Sequence, residues 1–141
     1  PSRFVATPSL KTFIALLLHI LVADDNSFNA DIMKDLLDLK GATCEIASTG
    51  QEAVDLFTSS ACGHFDAILM DIRMPDMDGY EATKRIRHSK HPDHASIMII
   101  ATTANAFADD VKTTLASGMN AHLSKPVDLD TLCALLQSMQ L

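Results

Sequence analysis

The feature that most constrains this chain is a strict alternation of short apolar runs with stretches of helical spacing. Leu18 to Ala23 is the first run, and Asn26 or Ser27 then caps a helix that extends to Lys40. Phe28, Ile32, Leu36 and Leu39 form its apolar stripe and Gly41 its left-handed stop. Thr43 to Ala47 reads as a second strand. Thr49 with Glu52 makes a capping box, and Ala53, Val54 and Phe57 give the next helix a buried face. The third strand, Phe65 to Met70, is apolar without strict alternation, as strands covered on both faces are, and it delivers Asp71 to a turn marked by Pro75 and Gly79. A helix from Gly79 to about Lys90 ends before Pro92. Ser96 to Ala101 is a fourth strand, a helix from about Ala108 to Ser117 stops at Gly118, and Ala121 to Ser124 is a short fifth strand. Asp128 caps a last helix with Leu129, Leu132, Leu135, Leu136 and Met139 on one face. Such alternation requires a parallel sheet with helices on both faces, an α/β doubly wound fold.

Residues 1–17 stand outside that pattern. Pro1 to Ser9 is polar and proline-punctuated, as linkers are. Phe13 to Leu17 is too apolar for a solvated linker and is expected to form a docked helix or a homodimer contact. The run from Phe13 to Ala23 has about half the length that a membrane crossing needs. Its second half is the first strand, so cleaving it as a signal peptide would destroy the domain. Starting at Pro1 rather than Met, the chain reads as a segment of a longer protein, with one domain over residues 18–141.

The net charge of -7, without any basic block, argues against a nucleic-acid surface. Cys44, Cys62 and Cys133 have no C-x-x-C spacing, which points away from a disulfide framework or a zinc site and toward a reducing, cytoplasmic compartment. His88, His91 and His94 straddle a helix end and read as a solvated surface rather than a metal site. The methionines read as packing residues, and no Gly-rich phosphate loop is present.

The chemistry lies at the strand ends. Asp24-Asp25 follows the first strand, Asp71 the third, Thr102-Thr103 the fourth and Lys125-Pro126 the fifth, all at the carboxyl edge where open α/β sheets bind ligands. Three carboxylates together repel and call for a cation, and an oxygen-only anionic set suits Mg²⁺. A lysine and a hydroxyl beside that ion complete a cage for a phosphoryl group, which leaves Asp71 as a carboxylate nucleophile that forms an aspartyl-phosphate.

From residue 18 onward the chain resembles the receiver domain of two-component response regulators. The resemblance rests on Ile20 to Asn26, Met70 to Pro75, Met77-Asp78-Gly79, Thr103 to Ala106 and Lys125-Pro126. It implies a flavodoxin-like (βα)5 sandwich with strand order 2-1-3-4-5. It also implies that Asp71 takes a phosphoryl group from a histidine kinase or a histidine phosphotransfer domain. Mg²⁺ would be held by Asp25 and Asp71 directly, by Asp24 through water and by the Arg73 backbone carbonyl, with Thr103 and Lys125 on the phosphoryl oxygens. Thr103 and His122 would carry the switch, His122 standing where many receivers have Tyr or Phe, and the region from about Ala108 to Lys125 would be the partner surface. Gly118 to His122 and Gly79 to Thr83 are most similar to receivers of hybrid sensor histidine kinases, which makes residues 1–17 a linker from a kinase and the chain a cytoplasmic part of a membrane-bound sensor, with no membrane contact of its own. A phosphatase of the haloacid dehalogenase type would need an aspartate two residues after its nucleophile, where Arg73 stands. A purely structural adaptor would have no use for the complete set of acidic, hydroxyl and lysine positions.

Overall fold

A computed structural model describes residues 18–105 and 111–138. The elements are β1 (His19–Ala23), α1 (Ser27–Leu39), β2 (Thr43–Ala47), α2 (Gly50–Thr58), β3 (Ala67–Asp71), α3 (Gly79–Arg87), β4 (Met98–Thr103), α4 (Val111–Ala116), β5 (Ala121–Ser124) and α5 (Leu129–Ser138). All strand pairs are parallel and the order is β2-β1-β3-β4-β5, as expected. The proposed roles of residues 13–17, the start of the fourth helix and Met139 lie outside the described residues.

Because successive strand residues point to opposite faces, the sheet supports two cores. Leu21, Ile68, Met70 and Ile99 pack against Phe57 of α2 and Ile86 of α3. Ile20, Val22, Leu69 and Ile100 pack on the other face against Met33 and Leu37 of α1 and Leu132 and Leu136 of α5. Each such side chain contributes roughly 1.5–3 kcal/mol when taken out of water. Every residue of β3 is buried, Asp71 included.

The caps follow the sequence. Asn26 accepts the Asn29 N–H, Thr49 the Glu52 N–H at 3.0 Å and Asp128 the Thr131 N–H at 3.2 Å, while Gly41 takes φ 80° at the end of α1. Three expectations need correction. The buried stripe of α1 is Ala30, Met33 and Leu37, whereas Phe28 is 70% exposed, Ile32 42% and Leu39 79%. Two neighbouring apolar stripes run along this helix, and the one holding the small Ala30 lets it approach the sheet. The fourth strand begins at Met98 rather than Ser96, because the Ser96 and Ile97 N–H groups bond back to the Asp93 carbonyl in a turn. His91 is buried rather than solvated. Its Nδ1 accepts the Asp93 N–H at 3.0 Å, its Nε2 donates to the Ser60 carbonyl at 2.9 Å, and the ring lies 4.4 Å from that of Phe57.

Candidate functional site

Asp71 ends β3 and pairs in register with Thr102 of β4. Its neighbour strand β1 delivers Asp24, whose backbone N–H still bonds to Ala47 of β2, and Asp25, which turns outward into solvent. β5 ends at Ser124, opposite Thr103, so the next residue is Lys125. Four strand ends thus bring together side chains separated by up to 101 positions, and backbone pairing fixes Asp24 and Asp71 in place.

Lys125 Nζ donates to Asp24 Oδ2 at 3.1 Å and stands 3.2 Å from Asp71 Oδ2. Asp24 Oδ1 accepts the Asn26 N–H at 2.9 Å, and Asp71 Oδ1 accepts the Arg73 N–H at 3.3 Å. One oxygen from each of Asp24, Asp25 and Asp71 lies within 4.8 Å of the other two. Burial pushes the Asp71 carboxyl up to about 6, and the Asp24 charge adds to that while Lys125 pulls against it. Burial lowers the Lys125 ammonium, but its hydrogen bonds and charge contacts with Asp24 and Asp71 outweigh this and hold it above its ordinary value. The site is therefore short of positive charge. An all-oxygen set with an unrelieved carboxylate fits a hard divalent cation.

The loop after Asp71 turns sharply into α3. Asp76 takes φ 68°, Met77 donates to Pro75 O at 2.7 Å and Asp78 caps α3. Gly79, the first residue of α3, donates to Ile72 O at 2.9 Å, and a Cβ there would run into the Asp71 carbonyl. Glycine is the one residue that permits this approach.

A family model for the response regulator receiver domain matches residues 20–137. The chain belongs to that family. The receiver domain is 39% identical over 115 residues to the sensor histidine kinase RcsC of Escherichia coli (strain K12), a match that covers 82% of this chain and 11% of the kinase. The chain thus spans about a tenth of the length of that relative. Among solved structures it resembles the receiver domain of sensor histidine kinase PA1611 from Pseudomonas aeruginosa PAO1, which has a magnesium ion coordinated in its active site cleft. The TM-score is 0.76 at 35% identity, over 86% of this chain and 96% of that one. It also resembles the co-crystal structure of the Saccharomyces cerevisiae phosphotransfer protein Ypd1 with the receiver domain of its downstream response regulator Ssk1. There the TM-score is 0.72 at 30% identity, over 86% and 88% of the two chains. This chain is a receiver domain of the two-component type, and its relatives include receivers carried by hybrid kinases.

The remaining residues expected at the site are placed less directly. Thr103 is fully buried and its Oγ1 accepts the Asn105 N–H at 3.1 Å. Thr102, beside it, lines a cleft with Asp24 and Lys125. His122 pairs with Ala101 and is half-buried, and its Nε2 is buried with no hydrogen-bond partner. The cleft itself was not foreseen. Ile32 and Leu36 of α1 line it together with Asp24, Pro126 and Val127. Its signal in the sequence is the second apolar stripe of α1, which helical spacing alone does not separate from a core-facing one.

Among the described residues no helix is long and apolar enough to cross a membrane.

Proposed function

We propose that Asp71 is the phosphoacceptor of this receiver domain and that its donor is a phosphohistidine on a histidine kinase or a histidine phosphotransfer domain. The observation that carries the reading is the contact of one ammonium, Lys125 Nζ, with both Asp24 and Asp71. An Asp71 oxygen attacks phosphorus, the P–N bond to the donor imidazole breaks, and the imidazole nitrogen takes up a proton. Lys125 moves from neutralising Asp71 to neutralising the phosphoryl oxygens, and a hydroxyl at Thr103 donates to another. Asp24, Asp25, Asp71 and the Arg73 backbone carbonyl are the groups that would hold Mg²⁺, which supplies the charge that three carboxylates and a phosphoryl group require. The product, an acyl phosphate on Asp71, hydrolyses slowly once formed.

Drawing Thr103 and Lys125 toward the phosphoryl group favours one of two conformations, which is the condition for a switch. His122 transmits it to the α4–β5 surface. The donor domain docks over the carboxyl edge, against the exposed Phe28 and Ile32 of α1, of which Ile32 lines the cleft with Asp24. Residues 18–141 form the receiver unit and residues 1–17 its linker to the kinase part of a hybrid sensor, a reading supported by the hybrid kinases among its relatives.

The test is labelling with acetyl phosphate and Mg²⁺. Acid-stable, base-labile phosphate is expected on Asp71, lost with Asp71→Asn and with chelator. Equal labelling of Asp71→Asn would show that the nucleophile lies elsewhere.

A further inference from the structure

At the amino end of the sheet, about 16 Å from Asp24 by the rise of β1, three side chains from separate segments converge. His19 Nε2 lies 2.7 Å and His64 Nε2 2.6 Å from the same oxygen, Glu45 Oε2. His19 begins β1, Glu45 lies in the edge strand β2 and His64 precedes β3. The parallel register pairs His19 with Thr43 and Leu21 with Glu45, so His19, Thr43 and Glu45 project from one face. We propose that His19, Glu45 and His64 form a binding site for a divalent transition-metal ion of the zinc class, independent of the acidic site around Asp71.

Four observations support it. The ligand atoms all lie within 4.8 Å of one another. Tetrahedral zinc with nitrogen and oxygen ligands spaces its donors about 3.3 Å apart. The two contacts to Glu45 therefore need to open by less than an ångström to admit the ion. Second, the His19 ring is already oriented as a metal ligand. Its Nδ1 lies 2.6 Å from Thr43 Oγ1, which accepts the Nδ1–H when Nε2 turns its lone pair to the ion. Third, the rings are held by packing. His19 stacks on Phe65 at 5.3 Å and 8°, and His64 meets both rings edge-on at 4.8 and 4.6 Å. Fourth, the residues remain accessible, with side-chain exposures of 24% for His19, 39% for Glu45 and 43% for His64.

The donor set also fixes the metal class. Two imidazoles and one carboxylate suit zinc and its neighbours, whereas Mg²⁺ prefers the oxygen-only set at the other pole. Three protein ligands leave a fourth position for water. Bound metal would tie β1, β2 and the segment before β3 together, and so stabilise the folded chain against unfolding.

The experiment is calorimetric titration of the folded chain with Zn²⁺ in excess Mg²⁺, which occupies the acidic site. The wild type is expected to bind one zinc per chain. His64→Asn and Glu45→Gln each lower the affinity by at least about tenfold, and Thr43→Val lowers it by about tenfold without changing the stoichiometry. Asp71→Asn binds as the wild type does. His64 lies exposed in a loop, so its variant keeps the fold, which circular dichroism verifies. Absence of zinc binding by the wild type at micromolar free metal would overturn the proposal. So would undiminished binding by both His64→Asn and Glu45→Gln, or loss of binding with Asp71→Asn.

Discussion

The Lys125 ammonium lies between two carboxylates, 3.1 Å from Asp24 and 3.2 Å from Asp71, and is the internal counter-charge of the cluster. Replacing it with an uncharged chain of similar length separates its two roles. Lys125→Met is expected to bind Mg²⁺ more tightly, because the carboxylates lose their internal cation. The same variant should label from acetyl phosphate about a hundredfold more slowly, the cost typical of losing one donor to a transferring group. Calorimetry and single-turnover labelling measure the two effects. A fall in both quantities would mean that Lys125 acts by holding the site together rather than by charge.

Asp71 gives the metal-free protein a distinctive pH dependence. Its folded pKa of about 6 exceeds the ordinary 3.8, so the folded state binds the proton more tightly. Above pH 6 the carboxylate is charged in both states and burial costs stability. As pH falls through 6 toward 3.8 the folded state protonates first and that cost disappears. The difference of about 2 pH units corresponds to about 3 kcal/mol at the full shift. Asp71→Asn is therefore expected to stabilise the metal-free chain by about 2–3 kcal/mol at about pH 8 and by little at about pH 4. Urea denaturation at the two pH values measures it, and a benefit that grows on acidification would contradict the assignment. Glu45, held below its ordinary pKa first by its hydrogen bond to His19 and then by that to His64, contributes an effect of opposite sign.

The fold and the strand-end residues were legible for one physical reason. A parallel sheet buries its strands on both faces, so β3 had to be a short apolar run, and a polar residue closing that run had to lie at the carboxyl edge. Asp24, Asp71 and Lys125 could be placed by that logic without knowing any contact. The phase of α1 could not. Phe28, Ile32 and Leu36 satisfy helical spacing as well as Ala30, Met33 and Leu37 do, and the choice depends on how closely the helix approaches the sheet. His91 failed for a similar reason. Its burial depends on the Ser60 carbonyl and the Asp93 N–H, which approach only when the α2–β3 loop folds against the segment after α3. The convergence of His19, Glu45 and His64 was equally invisible, since no sequence spacing links three different segments.

Gly79 ties the start of α3 to the backbone of the nucleophile. With its Cβ position directed at the Asp71 carbonyl, Gly79→Ala must displace either the helix or Asp71. The expected cost is about 1–3 kcal/mol, as for overpacking elsewhere, together with slower labelling from acetyl phosphate. Gly63→Ala is a contrasting control. It carries a left-handed φ of 77° but has open space around it, so it should lose stability without loss of labelling rate. Equal labelling by the two variants would detach Gly79 from the site.

Arg87 binds the segment after α3 to the start of β5. Its guanidinium donates to the carbonyls of Gly118, His94 and Ile97 at 2.9, 3.0 and 2.7 Å, and to Asn120 Oδ1 at 2.8 Å. Arg87→Met leaves these acceptors without that donor and is expected to cost about 2–3 kcal/mol, as for hydrogen bonds from a charged group. Chemical denaturation measures it, and a change below about 0.5 kcal/mol would place the network among surface contacts.

The exposed stripe of α1 distinguishes docking from chemistry. Phe28 leaves 70% of its surface in solvent and Ile32 42%. If this stripe receives the phosphodonor domain, Phe28→Ser with Ile32→Ser should slow transfer from a phosphorylated histidine phosphotransfer protein by about tenfold or more, the effect of removing an apolar anchor from an interface. Labelling by acetyl phosphate, which needs no docking surface, should stay at the wild-type rate. Stability should change little, since neither side chain belongs to the core beneath α1. Equal slowing with both donors would mean that the substitutions disturb Asp24 and the cleft beside it. Unchanged transfer from the protein donor would move the docking surface away from α1.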